Sequence, residues 1–125
     1  GGEMDENSAY YSPAVLTDLP VGSDVYYEEF FGPVAEIYKV ASEEEAVELA
    51  NNSYQGLGGA VFSDDTERAI KVADQIDTGM IHVNLGQYFS AVLPFGGVKR
   101  SGFGRELSVF ALDEFVNKQY LYVND

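Results

Sequence analysis

The sequence predicts an α/β fold: a parallel sheet with flanking helices, one long ordered loop and a final edge strand. Three observations predict it. Strand-type and helix-type apolar patterns alternate from Val34 to Asn84. The connections between the strands are long enough for helical crossovers, whose right-handed geometry returns the chain to a sheet as a parallel neighbour. After Asn84 comes a 20-residue, glycine-rich stretch, LGQYFSAVLPFGGVKRSGFG, with no regular period. A segment of that kind in a compact domain is more often functional than idle.

The elements follow in order. The first 33 residues are irregular, punctuated by Pro13, Pro20 and Pro33, with Ala14-Val15-Leu16 as a short strand. Val34 to Val40 is rich in β-branched and aromatic residues and reads as a strand. Ser42 and Glu45 then form a capping box, each side chain satisfying an orphan backbone N–H. The helix that follows puts Ala46, Val47, Leu49 and Ala50 on one face and ends near Asn52-Ser53. Leu57 to Ser63 is a second strand. Asp64 or Asp65 caps the next helix, on which Ala69, Ile70, Val72, Ala73 and Ile76 keep the helical period. Gly79 suits a C-terminal cap, having no Cβ to oppose a left-handed backbone. Met80 to Asn84 is a third strand. Beyond the long loop, Arg105 to Phe115 reads as a third helix, and Val116 to Val123 as a last edge strand.

Composition narrows the function classes. The chain has 125 residues and a net charge of −14, with 21 acidic residues against seven basic ones. Such a surface repels phosphate backbones and anionic headgroups, which excludes nucleic acid and membrane as partners. The acidity has two readings: ordinary solubility, or adaptation to high salt, where screening would quiet the mutual repulsion. There is no cysteine, hence no disulfide, no zinc-thiolate cluster and no thiol nucleophile among these residues. No apolar run approaches the roughly 18 residues of a membrane span, and no basic-then-apolar leader opens the chain. Apolar residues make up 46%, enough for a core. These features describe an acidic, soluble, cytoplasmic protein.

The chemistry-bearing motifs mostly fail their tests. Gly56-Leu57-Gly58-Gly59 follows a helix and enters a strand, the reverse of a dinucleotide loop. Gly96 to Gly104 lacks the Gly-Lys-Ser/Thr order of a phosphate loop. The single histidine, His82, lies within a strand and reads as a core residue, and Glu43-Glu44-Glu45 is a solvated helix start. No metal site and no nucleophile elbow is present.

The residues themselves go further. Glu28-Glu29-Phe30-Phe31-Gly32-Pro33-Val34 resembles a segment of the NAD(P)-dependent aldehyde dehydrogenases. The resemblance continues through Ala50-Asn51-Asn52-Ser53-Tyr54-Gln55-Gly56-Leu57 and Gly79-Met80-Ile81-His82-Val83-Asn84. It culminates in Pro94-Phe95-Gly96-Gly97-Val98-Lys99-Arg100-Ser101-Gly102-Phe103-Gly104-Arg105-Glu106. It covers nearly the whole chain in order, and its wording most resembles the succinate-semialdehyde dehydrogenase branch.

That resemblance implies that residues 1–115 are the carboxy-terminal portion of a catalytic domain and residues 116–125 an oligomerisation strand. The catalytic Cys, the general-base Glu and the oxyanion-holding Asn would belong to upstream segments of the same enzyme. Glu29 matches the acid that accepts hydrogen bonds from the nicotinamide-ribose hydroxyls, and Phe31 the aromatic beside the nicotinamide. Phe89 and Phe95 match aromatics lining the aldehyde pocket. Glu106 matches an accessory acid near the active site, with a helix N-terminal acid or a structural salt bridge as the plainer alternative. The implied reaction is thiolate attack on an aldehyde, hydride transfer to NAD or NADP, and hydrolysis of the thioester. No catalytic residue would lie in these 125. The parent would be a homo-oligomer, dimer or tetramer, joined through Asn117 to Val123, and the isolated chain an inactive assembly module.

Overall fold

The computed structural model describes all residues, 1–125, and divides them into two compact units, residues 1–46 and 47–125. In the first unit, β1 (Ala14–Thr17) pairs in parallel with β2 (Val34–Ile37), Ala14 standing opposite Val34. The intervening segment holds a 3-10 turn, Val25–Tyr27. Tyr26 meets Tyr27 and Tyr38 edge to face, at ring separations of 4.8 and 5.5 Å. Ala14 is the buried apolar residue here.

Helix α1 (Glu43–Asn51) starts where the sequence places it. Ser42 Oγ accepts from Glu45 N at 3.1 Å, but the Glu45 carboxylate reaches back one residue further than a standard box, accepting from Ala41 N at 2.6 Å. The three glutamates of its first turn complement the positive end of the helix dipole.

In the second unit, β4 (Gly58–Val61) and β5 (Met80–Val83) form a parallel pair bridged by α2 (Thr66–Ala73), the expected crossover unit. Asp65 caps α2, its Oδ1 accepting from Arg68 N at 3.0 Å. Ala69 and Ala73 carry the buried stripe, 1% and 5% exposed, whereas Ile70 stays 54% exposed. Asn84 closes the far end of the pair: Ser63 N donates to its Oδ1 at 2.8 Å and its Nδ2 donates to Ser63 O at 2.9 Å. A short antiparallel ladder joins β3 (Gln55–Gly56) to β6 (Val98–Lys99).

Four expectations are corrected. The strands form three two-stranded ladders and not one sheet; the handedness rule fixes a crossover only for strands sharing a ladder, and β2 shares none with β4. Gly79 does not cap α2, which ends at Ala73 with Asp74 as its cap. Gly79 instead admits a close crossing, because a Cβ there would strike Gly96 O and lie 2.6 Å from Gly97 Cα. The helix expected over 105–115 is reduced to a 3-10 helix, Val109–Phe115. Glu106 gives both its backbone groups to Phe95, and Leu107 and Ser108 are left-handed (φ 60° and 53°), which an α-helix cannot absorb. Finally, residues 116–125 join no ladder within the chain, although Val116 is extended (φ −128°, ψ 145°). A strand exists only against a partner edge.

Candidate functional site

The segment Glu28 to Pro33 leads directly into β2 and is held at its end by Ala14 N donating to Pro33 O at 2.9 Å and Val34 N donating to Gly32 O at 2.8 Å. Phe31 lies in this turn with φ +44° and is 91% exposed. A left-handed backbone costs a non-glycine residue about 1–2 kcal/mol, and no burial of the ring within the chain offsets it. Glu29, two residues earlier, is exposed as well, with its carboxylate in no ion pair. The sequence-predicted pair therefore stands on one loop, with an acceptor group and an apolar face both open to a ligand.

The second unit brings Phe89 and Phe95 together. Their ring centroids are 5.5 Å apart at 34°, an aromatic contact between residues of the long loop. Phe95 is half-buried and Phe89 59% exposed, so the pair presents one anchored ring and one open one. Phe95 is fixed by a two-bond antiparallel bridge with Glu106: Phe95 N donates to Glu106 O at 2.8 Å, and Glu106 N donates to Phe95 O at 2.7 Å. Glu106 is thus brought to Phe95 through the backbone, with its side chain exposed. It is not a helix N-terminal acid, since no helix begins there.

The glycine-rich segment is organised by a residue that sequence reasoning left without a role. Arg105 Nη1 donates to three carbonyls, those of Gly97 (2.8 Å), Gly104 (2.9 Å) and Phe103 (3.0 Å). One guanidinium nitrogen thereby draws the loop around itself, and Glu114 receives Arg105 N at 3.2 Å. Gly96 must lack a Cβ because Gly104 O and Arg105 Cδ occupy that space. A cleft of about 270 Å³ opens here, lined by Phe95, Gly96, Gly97, Arg105, Glu106 and Phe115 among others. Ser101 also emerges, its Oγ accepting from Gly56 N at 3.0 Å and so tying loop to β3. The signal available in the sequence was an arginine following four glycines in nine residues. His82 is half-buried and faces a separate cleft with Met80 and Gln87. No group of three or more His, Cys, Asp or Glu side chains could hold a metal, and no helix is long and apolar enough to cross a membrane.

The profile of the aldehyde dehydrogenase family matches residues 1–121. The chain is 54% identical over 120 residues to the succinate-semialdehyde dehydrogenase (NADP+) of Deinococcus radiodurans, covering 95% of this chain and 25% of that protein. It is 39% identical over 125 residues to a succinate-semialdehyde dehydrogenase of Paenarthrobacter nicotinovorans, covering 100% of this chain and 28% of the relative. Among solved structures, the succinic semialdehyde dehydrogenase of Streptococcus pyogenes in complex with NADP+ matches with a TM-score of 0.88 at 46% identity, over 98% of this chain and 27% of that one. The betaine aldehyde dehydrogenase of Staphylococcus aureus in complex with NAD+ matches with a TM-score of 0.82 at 40% identity, over 85% and 21% of the two chains. The chain spans about a quarter of the length of these relatives. With a family profile that runs from its first residue to Leu121, the chain belongs to the aldehyde dehydrogenase family.

Proposed function

We propose that this chain supplies the nicotinamide-ribose clamp and one wall of the substrate tunnel in an enzyme that oxidises an aldehyde to the carboxylic acid with NAD+ or NADP+. The observation that carries the reading is the Glu29–Phe31 loop, where an exposed carboxylate stands two residues from an aromatic ring 91% exposed. A bare ring of that size is apolar area without a cover, and a flat heteroaromatic covers it by offset stacking. A carboxylate accepts from two neighbouring hydroxyls at once, which suits a ribose diol. The residues present therefore fit the coenzyme. Bound NAD(P)+ would take up the hydride. The chain's own part is to hold the sugar at Glu29, to back the ring with Phe31, and to keep an apolar wall of Phe89 and Phe95 against the aldehyde chain.

The thiol such chemistry needs is not among these residues, which include no cysteine. It would come from segments of the parent outside the 125, as would the general base. Phe31, Phe115, Tyr120 and Leu121 are each 79–91% exposed, bare apolar area that suits a segment covered by other parts of a larger molecule. Succinate semialdehyde is the substrate proposed first, from the names of the relatives, with the parent in the cytoplasm. In the parent, Glu29→Gln should slow hydride transfer at least about tenfold, since one charged acceptor becomes a donor. A wild-type single-turnover rate would sink the clamp assignment.

A second reading is favoured by one observation. Residues 116–125, proposed as an oligomerisation tail on the portion 1–115, join no ladder within the chain and are bare, with Tyr120, Leu121, Tyr122 and Val123 each 68–84% exposed. That is the form of a strand that adds to a neighbouring subunit's edge. The isolated chain would then be an assembly module without catalysis, and the parent a dimer or tetramer. Removing residues 117–125 from the parent should lower its oligomeric state by sedimentation; an unchanged mass would refute the module.

A further inference from the structure

We propose that Lys99 is a positioning residue that sets the aim of Phe95, through one ammonium shared by three segments. Lys99 Nζ donates to Asn51 O at 3.0 Å and lies 3.4 Å from Asp77 Oδ2, its side chain only 22% exposed. Asn51 is the last residue of α1, so its carbonyl belongs to the negative end of a helix, where a cation is favoured. The Asn51 carboxamide is committed elsewhere: Nδ2 donates to Gln75 O at 2.8 Å, and Oδ1 accepts from Asp77 N at 2.7 Å. The end of α1, the turn between α2 and β5, and β6 are thus pinned at one point by charge-assisted bonds.

The backbone at that point is strained in a way the tether explains. Lys99 has φ +55°, a region that glycine occupies freely and lysine does not. A residue held there persists when its surroundings over-determine it. At Lys99 they do: Gln55 faces it across the β3–β6 ladder, Gly102 N donates to its carbonyl at 3.3 Å, and Nζ is anchored at the far side. Four residues before it stands Phe95, and between them Gly96 and Gly97 are buried against Gly79, where no added atom fits. Slack cannot be absorbed in that span. Movement of Lys99 is therefore passed to Phe95 and, through its bridge, to Glu106.

The positioning claim stands on geometry alone; that Phe95 then touches aldehyde rests on the functional reading above. The test uses the intact parent enzyme carrying 4-fluorophenylalanine at position 95, observed by fluorine NMR. Lys99→Met keeps the length of the side chain and removes the charge and the donor. It should shift or broaden the fluorine resonance, while Lys99→Arg, which keeps both, restores the wild-type position. Asp77→Asn, a milder change at an exposed acid, should move the resonance in the same direction and serves if the methionine variant fails to fold. A resonance unmoved in folded Lys99→Met or in Asp77→Asn would overturn the inference. Aldehyde KM should rise on the order of tenfold in Lys99→Met, with coenzyme KM changed less than twofold, because Glu29 and Phe31 belong to the other unit. A shifted resonance with unchanged aldehyde KM would uphold the positioning and refute the pocket role of Phe95.

Discussion

Phe31→Gly should separate stability from coenzyme binding, with opposite signs. The ring is 91% exposed and makes no core, so its removal gives up almost no burial within the chain. The backbone at φ +44° costs a phenylalanine about 1–2 kcal/mol that glycine does not incur. Glycine's greater freedom when unfolded takes back about 0.5–1 kcal/mol. The net is a stability unchanged or raised by up to about 1.5 kcal/mol, where truncating a buried Phe would cost about 3–5 kcal/mol. Binding moves the other way. If stacking covers one face, about half of a ring worth ~150 Å², the area withdrawn from water is about 75 Å². At about 25 cal/mol per Å² that is about 2 kcal/mol, or about 30-fold in coenzyme Kd. Urea denaturation and calorimetric titration of the parent enzyme with NAD+ or NADP+ read the two quantities on one sample. Destabilisation beyond about 1 kcal/mol would mean that the ring packs within the protein. An unchanged Kd would mean that it does not back the nicotinamide.

Three further outcomes follow from the same structure. Asp65→Ala removes the acceptor of Arg68 N and should cost about 1 kcal/mol by urea denaturation, with Asp65→Asn nearly silent. Burial, reinforced by the bond from Tyr38 Oη to Glu36 Oε2 at 2.8 Å and by that carboxylate's charge, pushes the Tyr38 phenol from 10.0 up to about 12. The folded form keeps a proton that the unfolded form loses, so this contribution is complete below pH 10 and disappears as the pH rises through about 12. Tyr38→Phe should flatten that limb of the stability profile. If the net charge of −14 reflects salt adaptation, the melting temperature should keep climbing well above moderate KCl; a plateau near physiological ionic strength assigns the acidity to ordinary solubility.

What could be read from the sequence was local. The Ser42–Glu45 cap, the Asp65 cap, the Ala69–Ala73 stripe and the parallel pairing of β4 with β5 all arise from residues within a few positions of one another or from a crossover rule. What could not be read was remote or conformational. Asn51, Asp77 and Lys99 meet across 48 residues of chain, and no spacing announces them. The break that replaces a helix over 105–115 lies at Leu107 and Ser108, left-handed residues that are not glycine and carry no warning. The candidate site divides the same way. Glu29, Phe31, Phe89 and Phe95 were singled out by family resemblance alone, and the fold adds that Phe89 and Phe95 meet ring to ring. The strained backbone of Phe31 and the three carbonyls gathered by Arg105 were visible only once the chain was folded.

The most direct test is a crystal structure of the intact parent enzyme with NAD+ or NADP+ bound. The account predicts the Glu29 carboxylate within about 3 Å of both hydroxyls of the nicotinamide ribose and the Phe31 ring against the nicotinamide. A nicotinamide ribose bound with neither residue in contact would contradict it.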